Sequence, residues 1–134
     1  MSKAKSGKEL HAVTENKVGM MAEISQWLAD KGVNIKAVCA YVVEDKAHFL
    51  MVTSDNKKAT DILKSKEIEV TEDEVVVVEM ADKVGALKDM AKKLKNSEID
   101  IKHIYGSTPG VPNALATIVF NSDDNKKAIN CING

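Results

Sequence analysis

Two short stretches combine a glycine with an amide or carboxylate side chain just ahead of a helical period: Asn16-Lys17-Val18-Gly19 and Asp82-Lys83-Val84-Gly85. A glycine at the mouth of a helix can adopt positive φ and lets a ligand approach the backbone. The free N–H groups of a helix start, together with the helix dipole, favour an anion such as a carboxylate. A nearby Asn or Asp oxygen accepts from an ammonium group. A free amino acid carries both charges on one carbon and suits such a loop. The same glycines would serve equally for a tight strand-to-helix turn with no ligand, and spacing alone leaves both readings open.

Other chemistries find little support. All nineteen basic residues are lysine, so no planar fork is available for a phosphate or a guanine edge. His11, His48 and His103 have no counterpart in the other stretch and read as ordinary surface or core histidines. Cys39 and Cys131 have no C-x-x-C spacing and read as small hydrophobes. "SGKE" at Ser6–Glu9 lacks the residues of a phosphate loop, and no nucleophile elbow appears. Aromatic residues make up 4% of the chain, too few for a base-stacking sheet. The net charge of −1 gives no field to attract nucleic acid or anionic lipid. No apolar run approaches the roughly 18 residues of a membrane span. The expectation is therefore a non-enzyme of the cytoplasm, with no cofactor, metal, nucleic acid or membrane partner.

The elements that position these loops are repeated. Lys17, Val18, Gly19, Leu28, Ile35 and Lys36 recur as Lys83, Val84, Gly85, Leu94, Ile101 and Lys102. "TSDNKKA" from Thr53 is answered by "NSDDNKKAI" from Asn121, with the longer "GSTPGVPN" (Gly106–Asn113) accounting for the changed offset. Each copy reads as a β-rich run ("LHAVT", "VVVVEM"), a helical period, two strands and a second helix. The helical stripes are Val18, Met21, Ser25 and Leu28 with Ile24, then Val84, Leu87, Ala91 and Leu94 with Met90. Ser54 and Ser122 are candidate caps of the second helices. "IEV" (Ile68–Val70) closes the first copy, and "TEDE" (Thr71–Glu74) reads as an acidic linker.

The fold class is α+β: two tandem ferredoxin-like βαββαβ units, residues 1–72 and 73–134, with antiparallel sheets and helices on one face. The second copy lacks its last strand. "MSKAKSGKEL" reads as a loose N-terminal tail. Val75–Met80 is then an open apolar edge, and covering it predicts a homodimer.

The pattern of a strand, [N/D]-x-x-G, a Leu-bearing helix, then [V/I]-[N/D]-I, met in "ENKVGMMAEISQWLADKGVNIK" and again in "MADKVGALKDMAKKLKNSEIDIK", resembles the ACT domain. This is the small regulatory, ligand-binding module of amino-acid metabolism. Val18 and Val84 stand where the family usually has Pro, and "SEID" replaces the glycine-bearing turn, leaving Asn96 and Ser97 to make it. The resemblance implies a freestanding, non-catalytic tandem protein that binds a free amino acid between paired domains. Carried over by position, one site comprises Asn16, Val18, Gly19 and Met20 with Asp100 and Ile101. Its mirror comprises Asp82, Val84, Gly85 and Ala86 with Asn34 and Ile35. The alternative is an interaction subunit that docks on a separate metabolic enzyme without binding a ligand.

Overall fold

The computed structural model describes residues 2–134. In chain order the elements are β1 (Lys3–Glu15), α1 (Met20–Asp30), β2 (Ile35–Val43), β3 (Lys46–Thr53), α2 (Asn56–Ser65), β4 (Glu69–Ala81), α3 (Ala86–Asn96), β5 (Ile101–Ser107), β6 (Leu115–Ser122) and α4 (Asn125–Asn133). The expected α+β class and the twice-repeated order of elements are both present. The chain forms two compact units, one of residues 8–73 and one of residues 2–7 with 74–134.

In the first unit, residues 8–15 of β1 lie between β3 and the start of β4, and β2 is hydrogen-bonded only to β3. The β1–β3 and β2–β3 pairs are antiparallel, with Glu15 opposite Lys46 and Val43 opposite Lys46. Leu10 and Ala12 on the sheet meet Ile24 and Leu28 of α1 and Leu63 of α2 in a closed core. The buried face of α1 is Met20, Ile24 and Leu28. Val18 does not belong to the stripe assigned from the sequence, since it precedes the helix and projects fully into solvent. Val84 behaves the same way before α3, where Met90 and Leu94 are the buried residues.

The second unit corrects two expectations. Residues 74–134 themselves supply three strands and two helices, but the first residues of the chain are not a loose tail. Residues 3–7 of β1 lie alongside β4, with Gly7 against the side chains of Val75 and Val77. Ala4 is buried in the core with Val78, Leu94 and Phe120. Its backbone is clasped by Asn133, whose Oδ1 accepts from the Ala4 N–H at 2.7 Å and whose Nδ2 donates to the Ala4 carbonyl at 2.8 Å. The β4 edge expected to be open is therefore covered by the chain's own β1, and the homodimer loses that ground. Likewise "TEDE" is no linker. It is the middle of a single 13-residue strand that runs on from the predicted "IEV" into "VVVVEM".

Turn chemistry differs in detail. Asp55 and Asp124, rather than Ser54 and Ser122, cap α2 and α4, accepting from the N–H groups of Lys58 and Lys127 at 3.0 Å. Asp offers its carboxylate at the correct spacing, and Ser122 instead donates its hydroxyl to Asn125. Gly32 ends α1 at φ 75°, the left-handed position of a helix stop. Ser97 follows α3 as expected, but Glu98 takes the left-handed place there, at φ 56°.

Candidate ligand-binding site

Gly19 and Gly85 are the N-caps of α1 and α3, at φ 89° and φ 90°. Those angles favour glycine strongly, because a Cβ would clash with its own backbone. A Cβ at either position would meet nothing else within 4 Å. The glycines are thus required by the turn and not by a neighbour pressing on them, and the space in front of each is open. No side chain caps either helix. The Gly19 carbonyl accepts from Glu23 N–H at 3.0 Å, while Met20 N–H makes only a long 3.4 Å bond to the Lys17 carbonyl. The first turn of α1 therefore keeps donors that a carboxylate can use.

In the first unit this loop borders a cavity of about 250 Å³. Asn16, Lys17, Gly19, Met20 and Met21 form one wall, and Ala40, Tyr41, Val42, Ala47 and Phe49 of β2 and β3 form the other. Asn16 is fixed by its backbone, its N–H donating to the Asp45 carbonyl at 3.0 Å. Its side-chain amide makes no hydrogen bond among the described residues. Lys17 pairs with Glu23 at 3.2 Å. Of the residues named from the sequence, Asn16, Gly19 and Met20 come together here, and Val18 points away. Asn34 and Ile35 sit at the far end of β2, where Ile35 lies opposite Thr53 while Val42, at the cavity, lies opposite Ala47. At about 3.3 Å per residue that is roughly 20 Å along the strand. Met21, Ala40, Val42 and Phe49 were not singled out. Their only signals were the helical stripe for Met21 and the apolar strand runs for Ala40, Val42 and Phe49, which read equally as packing.

The second unit repeats the loop but furnishes it differently. Asp82 Oδ2 accepts from the Thr108 hydroxyl at 2.7 Å, and Thr108 Oγ1 in turn accepts from Gly110 N–H at 3.2 Å. A Cβ on Gly106 would overlap the Cδ1 of Ile118, so Ile118 lies directly on the β5 backbone there. Val84 is exposed and Ala86 half-buried. Asp100 and Ile101 sit at the start of β5, Ile101 opposite Ser122, away from the Gly85 end of the same unit.

His11 and His48, scattered in the sequence, are joined by a 2.8 Å Nε2···Nδ1 hydrogen bond, and Tyr41 stacks on His48 with centroids 5.0 Å apart. No group of three or more metal-ligating side chains gathers among the described residues. No described helix is long and apolar enough to cross a membrane.

A βαββαβ unit followed by a βαββα unit that completes its sheet with residues 3–7, each with a glycine-capped helix after its first strand, defines a tandem ferredoxin-like module. The chain belongs to the ACT family: the model for an ACT domain pair matches residues 6–133. No curated protein matches it. Among solved structures it is similar to a protein from Bacteroides thetaiotaomicron, at 26% identity and a TM-score of 0.87 over 97% of this chain and 88% of that one. It shares its fold with the ligand-free regulatory subunit of aspartate kinase from Thermus thermophilus, at 12% identity and a TM-score of 0.71 over 98% and 94% of the two chains. Aspartate kinase from Clostridium acetobutylicum aligns at 18% identity and a TM-score of 0.65, over 98% of this chain and 33% of the enzyme.

Proposed function

We propose that the protein is a non-catalytic regulatory protein that binds a free amino acid at the Gly19 loop and passes that signal to a separate metabolic enzyme. The observation that carries the reading is the cavity where the glycine-capped start of α1 meets β2. There, uncapped N–H groups suit a carboxylate and the Asn16 side-chain oxygen suits an ammonium group. The regulatory role rests on family membership and on the fold shared with an aspartate kinase regulatory subunit.

The cavity is bounded by β2, which among the described residues pairs with β3 alone and has its other edge free. Strand β2 carries exposed Val38, Val42 and Val43 and a single lysine, so little guards it against pairing. A homodimer that lays an edge strand antiparallel along β2 would bring the first residues of that strand beside the Gly19 loop. Asp100 and Ile101, or Asn34 and Ile35, would thereby complete a site that neither unit completes by itself. The same unguarded edge favours the second reading, in which it docks on an enzyme and no ligand binds.

A thermal-shift screen against the twenty amino acids separates the two. Roughly eight heavy atoms at about −0.7 kcal/mol each give a Kd near 10⁻⁴ M. At about 10 mM, roughly a hundredfold above that, the native state gains about 2.7 kcal/mol and Tm rises by several degrees. No shift with any amino acid leaves the docking reading standing.

A further inference from the structure

We infer that each chain holds one such site, in the first copy, and that it admits only amino acids with uncharged, apolar side chains. The inference rests on the amino-acid reading above and names the ligand class and the copy that binds it.

The selectivity follows from the walls. Past the polar end at Asn16 and Gly19, the cavity is bounded by Met20, Val42, Ala47 and Phe49. No carboxylate lines it, and its one charged neighbour, Lys17, already faces Glu23 at 3.2 Å. Met20, Ala47 and Phe49 are already buried, so an apolar ligand side chain covers the exposed Val42 and the Ala40 methyl group beside it. A charged one gains nothing from these apolar walls, and the one charged side chain beside them already faces Glu23. Methionine is the most adaptable apolar wall, so Met20 and Met21 accommodate straight and branched side chains of similar size. The cavity volume of about 250 Å³ falls just under the range for drug-sized ligands and suits a single amino acid.

The second copy has the same loop beside a differently furnished strand. By register Ala40 lies opposite Phe49, as Gly106 lies opposite Ile118. Where the first copy has a methyl group and room beside it, the second has a bare backbone with the Ile118 side chain resting on it. The Asp82 carboxylate, which would meet the ligand's ammonium, is held by Thr108 instead.

Isothermal titration of the full chain tests both parts. Leucine, isoleucine, valine and methionine are titrated against lysine, arginine, aspartate and glutamate. The apolar set is expected to bind at least about tenfold more tightly than the charged set, because only apolar side chains gain from covering Val42 and Ala40. The expected stoichiometry is one per chain. Charged amino acids binding as tightly as apolar ones would overturn the selectivity while leaving amino-acid binding intact. Two equivalents per chain would overturn the closed second copy. Silence with all eight would overturn this inference, and the thermal-shift screen of all twenty decides whether amino-acid binding falls with it. Ala40→Leu, at an exposed position of an edge strand, fills the cavity and is expected to abolish the leucine response without lowering Tm. An unchanged affinity in that variant would place the ligand elsewhere.

Discussion

The two copies share a loop sequence and a backbone angle and differ in what surrounds them. In the first, Glu44 and Asp45 alone join β2 to β3, and the turn meets the loop through the backbone bond from Asn16 N–H to the Asp45 carbonyl. In the second, residues 108–114 join β5 to β6 and reach back to Asp82 through Thr108. The first copy builds its unit from residues 8–73, whereas the second borrows residues 3–7 for its sheet. Duplication thus preserved the turn, while the strand beside it carries Ala40 in one copy and Gly106 beneath the Ile118 side chain in the other. A motif match therefore reports backbone geometry and says nothing of whether a cavity lies behind it.

The comparison is broken most severely at the borrowed strand. Ala4→Asp places an unpaired charge in the second core and is expected to cost about 3–5 kcal/mol. Denaturation followed by hydrogen exchange should show β4–β6 amides losing protection first, with β2–β3 amides spared. Equal loss in both copies would mean that residues 3–7 do not belong specifically to the second. Next come Gly19→Val and Gly85→Val, each forcing a β-branched residue to positive φ at about 1–3 kcal/mol. The two losses should match in urea denaturation, because φ is the same. Only Gly19→Val should erase the ligand-induced rise in Tm. The caps Asp55→Ala and Asp124→Ala should each cost about 1 kcal/mol, again equally, and neither should touch binding. The smallest effect belongs to Thr108→Ala, which removes an exposed hydrogen bond worth about 0.5–1 kcal/mol. Asp82→Ala should be as mild and leave leucine binding unchanged, while Asn16→Ala weakens it in calorimetry.

Much of this fold is legible in the sequence. The glycines, the helical stripes near Ile24 and Met90 and the alternation in the strands are local features, and local chemistry dictates them. The loop half of the proposed site was legible for the same reason, since Asn16, Gly19 and Met20 are neighbours in the chain. The opposite wall was not. Ala40, Val42 and Phe49 become a wall only when β2 pairs with β3, and nothing in their types distinguishes a lining residue from a packed one. The place of residues 3–7 was hidden for a related reason. "KAKSG" is polar because one side of that strand faces water, and only Ala4 betrays the buried side. "TEDE" misleads in the same way, as four acidic or hydroxyl residues in a strand whose middle is exposed on both faces.

The hydrogen bonds between Ala4 and Asn133 span 129 positions of the chain. During synthesis from the N-terminus, everything the first unit needs is present once Asp73 has been made. The second must wait for Asn133 and then recover a strand made long before. Contacts so far apart in sequence form late, because the loop must close before they repay it. A nascent chain paused between these points would hold one finished unit and a short polar strand with nothing yet to join. Its lysines at positions 3 and 5 keep that waiting strand soluble and poorly suited to the wrong partner.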